Sequence, residues 1–333
     1  MSHDVETMFF SGETPWHGLG IGVPENVKSA EALKLAGLDW AVELRDVFAK
    51  IPGLPEASVL IDDKKAVVRV SDNAIFGIVG DGYAPIQNTR AFEFMDAIIG
   101  PDKAWYHTAG ALKGGRHVWV LVEIPGQITV NGNDVSKKFI LLSTSHDGTR
   151  ALQAMFVSIR VVCANTLSAA LQGAKNIVTV RHTKNHEVKL GEAIRILTAA
   201  NKWFEAFQQD ATMLSEAEFT ANKMQVLSEY MFPSEETDPE KIPTQTITGR
   251  ETLVKLFSSG MGNHGKTAWD GLNACTEYAD HHRSTRGQND ADRKSNRLDS
   301  VWFGSANAFK VKALDAIKRL VANLPLPKKG EEE

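Results

Sequence analysis

The stretch from Arg116 to Val162 does most to fix what this chain can become. It holds three apolar runs of strand length, "RHVWVLVEI" (Arg116–Ile124), "KKFILLSTS" (Lys137–Ser145) and "ALQAMFVSIRVV" (Ala151–Val162). Asn131-Gly132 lies between the first two and Asp147-Gly148 between the second and third. Both dipeptides supply the positive φ that a tight hairpin turn demands. Strands joined by such short turns pair antiparallel, because a parallel neighbour needs a crossover of a dozen or more residues. "CANTLSAALQG", ending at Gly173, reads as a helix. The expected fold class is therefore α+β, with a central antiparallel sheet, a β-β-β-α core over residues 104–190 and a helical C-terminal region.

The flanks divide by pattern. Residues 1–103 read as a mixed α/β region. Ser29 is a candidate N-cap for "AEALKLAG", with Gly37 at the C′ position. Ala41–Lys50, Lys65–Val70 and Asn73–Gly80 alternate as strands, and "NTRAFEFMDAIIG" reads as a helix capped by Asn88 and stopped by Gly100. Residues 191–325 read as helical, with Ile194, Leu197, Phe204 and Phe207 at helical spacing. Ser215–Glu218 and Thr248–Glu251 match the capping box. Further helices are expected over 266–282 and 306–323, followed by an acidic tail at 326–333.

Hydrophobic residues make up 43% and charged residues 23%, as in an ordinary globular chain. No apolar run is long enough to cross a membrane, and the acidic start lacks a secretory pattern. Cys163 and Cys275 are too few for a disulfide framework. Cytoplasmic localisation is expected, with no membrane partner.

The net charge of −4 speaks against a globally basic nucleic-acid binder, but the charge is uneven. From Gly148 to His186 there is no acidic residue, while Arg150, Arg160, Lys175, Arg181 and Lys184 fall in that span. Just upstream, Lys113 and Arg116 flank Gly114-Gly115. These seven are candidates for a groove that neutralises a phosphate backbone, with Tyr106 and Phe156 as candidate stacking aromatics.

Catalytic patterns are weaker. In "SHDGT", neighbours on a strand point to opposite faces, so His146 and Asp147 are poorly placed as a dyad and the turn reading is preferred. His146, Asp147 and His182 are the metal candidates. His186 lies four residues beyond His182, and Asp280–His282 offers further ligand types. Gly260, Gly265, Lys266 and Thr267 satisfy the phosphate-loop pattern, yet "RETLVKLFSS" before them reads as a helix where that loop needs a strand. Cys163, Trp119, Trp269 and Trp302 read as core. No catalytic residue is assigned and no cofactor is expected.

"GETPWHGLG", "SAEALKLAGLDW", "GDGYAPIQN", "GGRHVWV", "SHDGT", "RVVCANTL", "TAWDGLNACTEYADHH" and "WFGSANAFKVKAL" resemble successive blocks of a phage/plasmid-like family, over about residues 13–314. That family is defined only as a domain of unknown function and occurs in phages, prophages and plasmids. The resemblance implies a bacterial host cell and a mobile-element context, and it carries over no catalytic residues. At fold level the β-β-β-α core is similar to that of phage single-strand annealing proteins, which work without ATP, assemble as rings or filaments and hold single strands in a basic groove. The expectation is a homo-oligomer that binds single-stranded DNA or other nucleic acid and anneals complementary strands. The alternatives are a metal-dependent hydrolase or nuclease, and a non-catalytic host-interaction protein.

Overall fold

The computed structural model describes residues 5–11, 20–23, 27–100, 105–161, 166–167, 177–197, 200–236, 238–287, 293, 296–297, 300–301 and 304–327. Its strands are Val5–Ser11 (β1), Ile21–Val23 (β2), Val42–Ile51 (β3), Leu54–Arg69 (β4), Ile75–Gly80 (β5), Trp105–Leu112 (β6), His117–Val130 (β7), Asp134–Ser145 (β8), Leu152–Arg160 (β9), Thr166–Leu167 (β10) and Ile177–Val180 (β11). The helices are Ser29–Leu35 (α1), Asn88–Ile99 (α2), His186–Leu197 (α3), Ala200–Glu216 (α4), Ala221–Met231 (α5), Thr244–Ser259 (α6), Ala268–Glu277 (α7) and Ser305–Val321 (α8).

An eight-stranded sheet runs in the order β10-β9-β8-β7-β6-β1-β2, with β11 also paired to β9. All its pairs are antiparallel except β1 with β2. The three central strands lie where their apolar runs predict. Asn131 and Gly132 both take positive φ (50° and 80°) in the β7–β8 turn, and the fold class is the expected α+β.

The alternation along β7 explains why its sequence is apolar without interruption. Val118, Val120 and Val122 join a core beneath α1, α2, α4, α5, α6 and α7, while Trp119 and Leu121 join a second core with Ala279, Val301 and Ala306. A sheet buried on both faces loses the in/out polarity of a half-exposed one. The larger core draws on Phe9, Phe92, Val120, Phe204 and Ile317, so the regions distinguished in the sequence share one interior.

Several local expectations are corrected. Within the helix expected from Cys163 to Gly173, Thr166 and Leu167 are described, and they pair as β10 with Ile159 and Ser158. Asp147-Gly148 is no two-residue turn: residues 146–151 join β8 to β9, and Gly148 takes positive φ (77°) while Asp147 does not. Ser215 lies inside α4 and Thr248 inside α6, so neither begins a helix. The capping box is formed by Thr267 and Asp270 at the start of α7. Gly37 does end α1 with φ of 61°, and Gly100 ends α2 with φ of 90°. No helix among the described residues is long and apolar enough to cross a membrane.

The smaller sheet, in the order β3-β4-β5, buries Val42, Val67, Phe76 and Val79 against Trp40. It meets the large sheet where β5 crosses the β8–β9 loop. A Cβ at Gly77 would lie 2.7 Å from the Asp147 carbonyl oxygen, so this contact requires glycine.

Candidate functional site

Strand register decides which of the cations share a location. His117 pairs with both Leu112 and Ser145, and Leu152 pairs with Val180. The β6–β7 turn, the β8–β9 loop and the end of β11 therefore open at one end of the large sheet. Lys113 and Arg116 sit on the first, Arg150 on the second, and Arg181 and Lys184 just past the third. Arg116 Nε donates to the Phe76 carbonyl (3.0 Å), which ties the turn to β5. Arg150 is half-buried, and its amide and carbonyl both bond the Ser145 hydroxyl (2.9 and 3.2 Å). Arg116, Arg181 and Lys184 are exposed. Glu187, which follows on α3, is already engaged by Arg90 at 2.6 Å.

Arg160 is a correction. It pairs with Ser136 at the opposite end of the sheet and is 4% exposed. Nε and Nη2 grip the Asp134 carboxylate (2.7 Å each), and Nη1 and Nη2 donate to the carbonyls of Met261 (2.8 Å) and Gly262 (3.0 Å). Its donors are spent on the chain itself, so it has none to offer a phosphate. Lys175 lies outside the described residues, as do Trp16, His17, Cys163 and Trp302. Tyr106 and Phe156 are core residues, 1% and 2% exposed, which removes both as stacking platforms.

Beneath the cationic end lies a layer of buried polar groups. His146 is fully buried between Trp40 and Phe76, with ring centroids 5.2 and 6.0 Å away. Asn88 Nδ2 donates to the Leu38 carbonyl, so its Oδ1 accepts from His146 Nε2 (2.9 Å). Asn88 thus acts by joining α2 to the sheet; it is the first residue of α2 and makes no cap. His182 stacks on Tyr83 at 5.0 Å, accepts from the Ile86 amide at Nδ1 and donates to the Thr144 hydroxyl from Nε2 (3.1 Å). Burial pushes the pKa of His146 down to about 3 and that of His182 down to about 4, so both are neutral bases.

Asp147 does have a histidine, though not its neighbour. His117 Nε2 meets its carboxylate at 3.1 Å, and Thr149 donates to it from backbone (2.9 Å) and hydroxyl (2.6 Å). Burial raises the Asp147 carboxyl, but the hydrogen bonds from His117 and Thr149 outweigh it and hold the group well below the usual carboxylate range.

The metal candidates are not brought together. Asp147 turns to His117, His146 to Asn88 and His182 to Thr144. His186 leaves His182 and caps its own turn on the Thr183 carbonyl (2.8 Å). Asp280 is buried against Lys310 Nζ at 2.8 Å, on a π-helical turn from Tyr278 to His282. Among the described residues no three His, Cys, Asp or Glu side chains converge as a metal site. The phosphate-loop pattern also dissolves. It follows α6, and the Asp270 carboxylate takes the amides of His264 (3.2 Å), Lys266 (3.0 Å) and Thr267 (3.0 Å). Cys275 is fully buried and its thiol is pushed up to about 12, which leaves it unreactive.

The model of a family described as a domain of unknown function, DUF932, matches residues 75–302, more than half of the chain. The chain belongs to the DUF932 family. That span opens on β5 and includes the whole cationic end, from Lys113 to Lys184. No curated protein and no solved structure matches this DUF932 chain.

Proposed function

We propose that this DUF932 protein binds the sugar-phosphate backbone of single-stranded nucleic acid at the cationic end of its large sheet, and that annealing complementary strands is the activity this serves. One observation carries the reading: register gathers Lys113, Arg116, Arg150, Arg181 and Lys184 onto three neighbouring connections, above the buried, neutral His146 and His182. Cations there neutralise phosphates and lower the repulsion between two strands. With Tyr106 and Phe156 buried, the contacts are to the backbone, and base edges stay free to pair. The reading includes no chemical step.

The test is fluorescence anisotropy of a labelled single-stranded oligonucleotide across a salt series. Five phosphate contacts at about 0.7 each predict a slope of log K against log salt of roughly −3.5. Arg181→Gln with Lys184→Gln is expected to flatten that slope by about 1.4 and to leave the unfolding transition unchanged. Absence of binding at low salt, or a slope indifferent to the double substitution, overturns the proposal. Mixing two complementary strands with the protein then reads annealing directly.

A further inference from the structure

The smaller sheet carries an arm. β4 pairs with β5 only from Lys64 to Val68, whereas β3 and β4, after a register shift between Asp46 and Phe48 in which the extra residues lie on β4, pair again from Phe48 with Leu60 out to Ile51 and Leu54, around a turn at Pro52 and Gly53. Past the Lys64–Gly80 pair the sheet thins to two strands. A two-stranded hairpin is marginal in water by itself. This one exposes apolar side chains on both faces. Phe48 (56% exposed) and Leu60 (42%) stand opposite each other on one face, and Val59 (54%) stands opposite Ala49 on the other. β3 is the terminal strand of its sheet, and no strand pairs with its outer side among the described residues.

We infer that a second copy of this chain covers the arm, by antiparallel pairing of β3 with β3 about a two-fold axis at Phe48. The sequence of β3 selects that register. Directly paired residues share a face of the sheet, so a symmetric antiparallel edge must place one residue opposite its own counterpart. An axis at Arg45 or Asp46 sets like charges face to face, which destabilises a cross-strand pair. An axis at Val47 or Ala49 sets a charged side chain, Asp46 or Lys50, against the phenyl ring of Phe48, one at Lys50 opposes two lysines, and one nearer either end of β3 leaves Phe48 uncovered. An axis at Phe48 brings the two phenyl rings together and sets Asp46 opposite Lys50 of the second copy, twice over. On the other face Val47 meets Ala49 of the second copy. Asp46 is held in place by Lys65 of its own chain at 2.5 Å, while Lys50 has no carboxylate partner among the described residues. The pairing supplies that partner, joins the free edges and merges two three-stranded sheets into one of six strands. It is independent of the nucleic-acid reading and is tested without nucleic acid present.

Phe48→Cys is the decisive variant. Directly opposed Cα atoms in antiparallel strands lie about 4.5–5.5 Å apart, within the disulfide range of about 4.4–6.8 Å. Under mild oxidation the variant is expected to form a covalent dimer on a non-reducing gel. Wild type and Ser58→Cys, oxidised in parallel, are the controls, since Ser58 lies on β4, away from the axis. Sedimentation velocity should show a wild-type dimer whose dissociation constant rises about ten-fold or more in Lys50→Glu, where two like-charge contacts replace two opposite ones. A wild-type chain that stays monomeric at micromolar concentration overturns the inference. So does a dimer that the Phe48→Cys thiol fails to link, or links no better than the thiol of Ser58→Cys.

Discussion

Replacing Arg160 with methionine separates a structural cation from a ligand-binding one. The guanidinium is 4% exposed, chelates Asp134, and satisfies the carbonyls of Met261 and Gly262. Methionine fills much of the same volume but leaves the carboxylate and two carbonyls without these donors. Asp134 then keeps the indole of Trp269 (2.7 Å) as its other side-chain donor. Breaking a buried ion pair by removing one partner costs about 3–5 kcal/mol, because a charge is stranded in a poorly solvating site. Each stranded carbonyl adds about 1 kcal/mol at the low end of its desolvation penalty. Local relaxation and water entry offset part of this, so we expect a loss of about 3–5 kcal/mol in urea unfolding. Adding Asp134→Asn removes the stranded charge, and the double variant should recover about 1–3 kcal/mol of coupling. Oligonucleotide binding by whatever fraction stays folded should match wild type. A loss below about 1 kcal/mol, typical of an average point substitution, would refute the structural assignment.

Two further outcomes follow, the first from three buried histidines and the second from the join between the sheets. The pKa values of His107 and His182 are lowered to about 4 and that of His146 to about 3, each chiefly by burial, while the same residues titrate near 6.5 when unfolded. The unfolded chain thus binds up to three more protons in that window, so stability should be complete above pH 6.5 and fall steadily towards pH 4. Urea midpoints that stay flat between those limits would contradict the neutral buried assignment. Gly77→Ala places a methyl group 2.7 Å from the Asp147 carbonyl oxygen and should cost about 1–3 kcal/mol by overpacking, whereas Gly53→Ala at the open arm turn meets no atom within 4 Å and bears only the penalty of its positive φ.

How much was legible in the sequence varied with the range of the interactions. β7, β8 and β9 were, because a short apolar run and an Asn-Gly turn are properties of a few adjacent residues. The outgoing strand of the arm was read to Lys50, but the returning strand from Leu54 to Lys64 went unread, although Pro52-Gly53 is a turn signal between two apolar runs. The place of β1 between β6 and β2 left no local trace. At the site, the dipeptide His146-Asp147 drew attention to the wrong histidine. Adjacent side chains diverge, and the carboxylate reaches His117 on the neighbouring strand, 30 residues away. Arg160 was misread for a related reason. The acid-free span from Gly148 to His186 ended short of Asp134, which β8 brings alongside it. Charge counted along the chain does not register partners that strand pairing delivers.

The position of β1 has a consequence for synthesis. Val5–Ser11 lies against Trp105–Leu112 in the interior of the large sheet, so its partner leaves the ribosome about a hundred residues after it does. The small three-stranded sheet lies wholly within that interval and is free to form first. Until β6 arrives, Phe9 and Phe10 have only the three-residue β2 to pair with, through Ile21 and Gly22, and the antiparallel side of β1 waits for Trp105–Leu112.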